Sequence, residues 1–147
     1  MKIGIASDHR GYKIKEYLKE ELTARNYEVQ DFGTENENST DYPDYAFKLG
    51  EAIAKKEIVY GIAICGSGIG ISIACNKVKG VRCAKVDSLE DVVATRIDND
   101  ANIIAFGERV GKEKALIFVK KFIETKSSSE EKHLRRINKI KIYEENN

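Results

Sequence analysis

Short apolar runs recur about every 30 residues along this chain, and between them the apolar positions switch to helical spacing. The runs occupy residues 3–6, 27–32, 60–65, 81–86 and 102–106. They are β-branched-rich and apolar at consecutive positions, the pattern of strands covered on both faces. Ile14, Leu18 and Leu22 mark one helical stripe; Ala46, Leu49 and Ile53 mark another. Further helical patterns follow the glycines after Cys65, then run through residues 87–98 and 112–124. Alternation of this kind predicts right-handed crossovers and a parallel sheet of five strands. The expected architecture is a three-layer αβα, doubly wound, Rossmann-like domain. With 147 residues and no repeat or low-complexity linker, the chain reads as one domain over 1–147.

Charge narrows the partners. Lys plus Arg number 25 against 24 for Asp plus Glu, so neither nucleic acid nor an acidic membrane surface is implied. No stretch approaches the roughly 18 apolar residues of a membrane span. The opening "MKIGIASDHRG" turns polar too soon for a signal peptide, which points to the cytoplasm. Three cysteines, Cys65, Cys75 and Cys83, form no Cys-x-x-Cys pair, and the two histidines, His9 and His133, have no metal-ligand spacing. Neither a disulfide framework nor a metal site is expected.

Two segments stand outside the rhythm. "TENENSTDYPD" is a polar loop holding the only proline, Pro43. The tail, about residues 126–147, carries an N-cap signal in its serines, with Glu130 and Glu131 in the first turn. Leu134, Ile137 and Ile140 then make a narrow apolar stripe that would pack on its own domain or, the preferred reading, on a second copy of the chain.

Open parallel sheets bind ligands outside the carboxyl ends of their strands. The first strand ends in "SDHRG", the third in "CGSGIG" and the fifth in "GER". The helix before the fifth strand finishes in "RIDNDAN", so His9, Cys65 and Asp98 are expected at one rim. Gly66, Gly68 and Gly70 allow a sharp turn and close approach to a ligand, and successive amides there form a small anion site. The Gly-x-Gly-x-Gly spacing is neither the dinucleotide fingerprint nor a P-loop. An isolated strand cysteine is usually an inert core residue, the reading given to Cys75 and Cys83. Cys65 differs because it closes its strand at the glycine loop, where amides and a helix dipole favour a thiolate. Lys132, His133, Arg135 and Arg136 read either as a solvated helix face or as a phosphate clamp.

"SDHRGYKIKE", "DYPDYA", "ICGSGIGISIACNKVKGVRCA", "NDANIIAFGERV" and "EEKHLRRINKI" together resemble, in order, the ribose-5-phosphate isomerase B family, which includes galactose-6-phosphate isomerase subunits. The resemblance covers residues 1–142. It implies interconversion of ribose 5-phosphate and ribulose 5-phosphate through a cis-enediolate, with no metal or other cofactor. Carried over by motif, Cys65 is the base moving a proton between C1 and C2. Relatives lacking this cysteine use a glutamate where this chain has Ile71. Ser67 and the amides of Gly66, Gly68, Ile69 and Gly70 stabilise the enediolate; Asp8, His9 and Tyr42 contact the sugar or its phosphate. Asn99 and Arg109 match further ligand contacts, and Lys132, His133 and Arg136 match the phosphate-binding tail. The resemblance also implies a homodimer, or a tetramer, whose sites combine residues of two subunits. The chain departs from the pattern at Asp98, which replaces a histidine that helps open the sugar ring. Val86 and Glu90 are also unusual, and Lys132 stands where arginine is common. A six-carbon substrate (allose or galactose 6-phosphate) and a non-catalytic sugar-phosphate-binding subunit are the alternatives.

Overall fold

Strands and helices alternate as the spacing predicts, in a computed structural model describing residues 1–147. The order is β1 (Lys2–Ser7), α1 (Tyr12–Ala24), β2 (Glu28–Asp31), α2 (Tyr42–Ala54), β3 (Tyr60–Cys65), α3 (Ile69–Cys75), β4 (Cys83–Lys85), α4 (Leu89–Asn99), β5 (Ile103–Gly107), α5 (Lys112–Glu124) and α6 (Glu131–Glu145). A short 3-10 turn, Glu108–Val110, links β5 to α5. All strands are parallel, in the order β2-β1-β3-β5-β4. The winding reverses between β1 and β3, which opens a crevice at their carboxyl ends.

The helices pack on both faces. Ile14, Leu18 and Leu22 of α1, Val92 of α4, and Phe118 and Phe122 of α5 bury against Ile3, Ile5, Ile62 and Ile64 on one face. Ala46, Leu49 and Ile53 of α2 and Ile71, Ala74 and Cys75 of α3 cover the other. Each fully buried Leu, Ile or Phe contributes about 1.5–3 kcal/mol.

The central strands match the expectation closely, whereas the edges are shorter and less covered. β2 and β4 span four and three residues, and neither contains a fully buried residue. An edge strand has a ladder on one side only, so hydrogen bonding stops before the apolar pattern does. Val81 and Val86 flank β4 outside the ladder and are still buried, which is why the run looked longer in the sequence. Likewise the polar loop ends early, because Tyr42 and Pro43 already lie in the first turn of α2, where proline's missing N–H is harmless.

α6 crosses the amino end of the sheet. Its cap is Glu130 rather than a serine, since Ser128 Oγ accepts from Glu130 N–H at 2.9 Å and closes a turn before the helix begins. Glu144, in the last turn, accepts from Gly80 N–H at 3.2 Å. Of its apolar stripe only Ile137 is buried; Leu134 and Ile140 are about half exposed. No helix is long and apolar enough to cross a membrane.

Candidate active site

Cys65 ends β3 beside the crevice and is 4% exposed. Its Sγ accepts from Gly68 N–H at 3.2 Å. That contact requires the chain to fold back immediately after β3, and Gly68 does so with φ +81°, in the left-handed region. A Cβ at Gly68 would lie 2.6 Å from the carbonyl carbon of Phe106, so β5 also forbids a side chain there. Gly107 completes the close approach: a Cβ on it would stand 2.8 Å from Gly66 O.

The loop amides divide into two groups. Gly68 N–H goes to Cys65 Sγ and Ile69 N–H to Ser67 Oγ at 3.1 Å. The amides of Gly66, Ser67 and Gly70 have no acceptor within the chain. Free donors are therefore not the full expected set. Gly68 and Ile69 are taken, and the Ser67 amide, which the glycine spacing gave no reason to single out, joins Gly66 and Gly70.

The loop after β1 forms the facing wall. Asp8 is buried, and its Oδ1 accepts from Arg10 N–H at 3.0 Å and Gly11 N–H at 3.2 Å, fixing the turn into α1. His9 Nδ1 accepts from Thr40 N–H at 3.2 Å. This ties the polar loop to the rim and leaves Nε2 as the position for the neutral ring's proton. Tyr42 leans over the glycine loop, since a Cβ on Gly70 would lie 2.6 Å from its Cζ. Asp8, Tyr42, Cys65, Gly66, Ser67 and Arg109 line one cavity of about 470 Å³. Arg109 has no carboxylate within 4.0 Å, so its charge is free for a ligand.

Sequence reasoning missed two further residues on this cavity, Arg10 and Glu108. Arg10 donates to Glu108 Oε1 from Nη2 at 2.6 Å and from Nε at 3.2 Å. The Glu108 hydrogen bond raises the Arg10 pKa further, so the guanidinium stays charged. Nothing in the spacing of residues 98 apart signals this pair.

The expectation that Asp98 shares the rim with Cys65 and His9 is not met within one chain. α4 leaves β4 at the carboxyl end and descends, so its last turn lies at the amino end of the sheet. There Asn99 O accepts from Arg82 Nε at 3.0 Å, just before β4 begins. Asp98 Oδ1 instead lies 3.5 Å from His133 Nε2 of α6. His133 is mostly buried, and its Nδ1 has no partner. Asn99, Lys132, His133 and Arg136 thus gather with Asp98 at the end opposite Cys65.

The other two thiols differ from Cys65. Cys75 is fully buried, with its Sγ 3.9 Å from Ala46 O. A hydrogen bond with Cys75, then burial, pushes the Cys83 thiol well above its usual range and keeps it protonated.

The description ribose/galactose isomerase belongs to the family whose profile matches residues 3–140. A putative sugar phosphate isomerase of Bacillus subtilis is 45% identical, covering 100% of this chain and 99% of the relative. The ribose-5-phosphate isomerase B of Escherichia coli is 42% identical, covering 74% of this chain and 73% of its own. Among solved structures, the ribose-5-phosphate isomerase B of Clostridium thermocellum superposes with a TM-score of 0.95 at 45% identity, over 99% of both chains.

Proposed function

The chain belongs to the ribose/galactose isomerase family and is an isomerase; from that premise we propose that it interconverts ribose 5-phosphate and ribulose 5-phosphate, with Cys65 as the base. The observation that carries this reading is Cys65 at the switch point of the sheet, opening on a cavity with unpaired amides beside it. A hydrogen on the carbon next to a carbonyl is removed by a fixed base only if the resulting negative charge has acceptors nearby. Such a base contributes on the order of 10²–10⁴-fold, and one oxyanion donor roughly 10²–10³-fold.

In the proposed reaction the Cys65 thiolate takes the C2 proton of the open-chain aldose. The electron pair moves to O1 and gives a cis-enediolate; the O2 hydroxyl proton passes to O1, the C2 carbonyl forms, and Cys65 returns the carbon proton at C1. The amides of Gly66, Ser67 and Gly70 and the Ser67 hydroxyl hold the two oxygens. Ser67 Oγ accepts from Ile69, so its own proton is left to donate. The Gly68 N–H faces the sulfur that must carry charge. Asp8, His9 and Tyr42 hold the sugar, and Arg109 is placed for its charged end. No cofactor enters these steps.

The remaining cations are assigned to a second copy. In a homodimer, Lys132, His133 and Arg136 of one subunit hold the phosphate at the other subunit's rim, and Asp98 and Asn99 stand near the sugar ring. Half-exposed Leu134 and Ile140, with Leu89 and Ile97 on α4, supply the apolar surface for such a contact. The enzyme belongs to the non-oxidative pentose phosphate branch, and its three free thiols suit the reducing cytoplasm.

The test is an isomerase assay with ribose 5-phosphate, allose 6-phosphate and galactose 6-phosphate, run beside Cys65→Ala. Turnover should be fastest on ribose 5-phosphate and fall at least about 10²-fold in the variant. Equal rates in the two proteins would remove Cys65 as base. Preference for a six-carbon sugar would overturn the substrate, and absence of turnover on all three would favour a binding subunit.

A further inference from the structure

Arg10 is the least expected group around Cys65, and its geometry is specific. A Cβ on Gly66 would lie 2.5 Å from Arg10 Nη1, 2.7 Å from Cζ and 2.9 Å from Nε. Three such similar separations place the guanidinium flat across Gly66. Gly66 itself has no positive φ, so what its missing side chain provides is room for that cation. Glu108 fixes the guanidinium from the β5 side through Nε and Nη2. Nη1 has no hydrogen-bond partner, and Arg10 and Cys65 line the same cavity.

An exposed ion pair adds little stability, so stability alone is a poor reason for a cation at this place. The two arginines divide the work. Arg109, with no carboxylate in reach, suits a permanently charged group of the ligand. Arg10 is already neutralised by Glu108 and offers one free edge beside the unpaired amides of Gly66 and Ser67. Such a donor gains most when negative charge develops next to it in the reaction.

We infer that Arg10 is a further catalytic residue, whose Nη1 donates to the oxyanion forming on the sugar beside Cys65, with Glu108 as the residue that positions it. This rests on the isomerase reading of the site and adds a side-chain cation to its backbone donors. It also explains Gly66 by the flat approach of a guanidinium rather than by the turn. Lysine would keep the charge but not the planar contact.

The experiment measures kcat and KM for ribose 5-phosphate on the full chain, with Arg10→Met, Arg10→Lys, Glu108→Gln and Cys65→Ala beside wild type. Arg10→Met should lower kcat about 10²-fold, the lower end for one oxyanion donor, with KM within about twofold. Arg10→Lys should fall between Met and wild type. Glu108→Gln, which keeps the cation but loosens it, should cost several-fold and less than Arg10→Met. Unchanged kcat in Arg10→Met, with or without a higher KM, overturns the inference while leaving the reading of Cys65 intact. Equal losses in Arg10→Met and Glu108→Gln also overturn it, because the pair would then be structural. If wild type and Cys65→Ala turn over equally, the reading beneath it falls as well.

Discussion

Under the proposed reaction, the two ends of the sheet would carry opposite halves of one site. At the carboxyl end, Cys65, the unpaired amides and Asp8 surround a cavity whose only cations are Arg10 and Arg109. At the amino end, α6 carries Lys132 and Arg136 on either side of His133, which faces Asp98, and there is no glycine-rich loop. In the proposed reaction the first end moves the proton but offers a phosphate only one unpaired cation, Arg109. The second carries more cations but has no thiol paired with a glycine loop. Each end is therefore intelligible as half of a site, and the helix that leaves Leu134 and Ile140 uncovered is the element that can join them between chains.

The comparison breaks most sharply at Gly68. Gly68→Ala combines a left-handed residue with a contact of 2.6 Å to Phe106 backbone, which cannot yield as a side-chain tip can. It should destabilise the fold by about 1–3 kcal/mol and abolish turnover, read by thermal denaturation and by assay. Full activity in this variant would show that the rim does not depend on the Gly68–Cys65 contact.

At the other end the expected effect is on binding. Arg136→Ala should raise KM for ribose 5-phosphate about tenfold and leave kcat within a few-fold, with the difference shrinking at high salt. A loss confined to kcat would place Arg136 at the chemistry instead of the phosphate.

The smallest effect lies on the edge strand, where Asp31 closes β2. Burial pushes the Asp31 carboxyl up, but hydrogen bonds from Lys15 and Lys19 outweigh it and hold the group below the usual carboxylate range. A lowered folded value means stability present above the unfolded pKa, near 3.9, and lost as pH falls through the folded one. Asp31→Asn should cost about 1–3 kcal/mol at neutral pH, a gap that narrows below about pH 4, with kcat unchanged. A changed kcat would mean that the rim is coupled to this distant network.

Much of the fold was legible because the buried central strands have little freedom to differ from their pattern. Residues 60–65 and 112–124 form the elements expected, whereas edge strands β2 and β4 are shorter than their apolar flanks. The rim was legible as far as strand ends and glycines mark it. Asp98 was misplaced because it closes the crossover helix α4, and a crossover between parallel strands must return to the amino end before β5 begins. Arg10 and Glu108 were invisible because their pairing spans β1 and β5, far apart in sequence. The division of the amides between sulfur, hydroxyl and open cavity required coordinates.

In the proposed homodimer a complete site takes its base from one chain and its phosphate cations from another. At ribose 5-phosphate well below the wild-type KM, Cys65→Ala should be nearly inactive and Arg136→Ala should run at about a tenth of the wild-type rate. Unfolded and refolded together in equal amounts, they should recover about a quarter of the wild-type rate, because half the dimers are mixed and each mixed dimer holds one intact site. Recovery no greater than the sum of the separate variants would contradict a site shared between subunits.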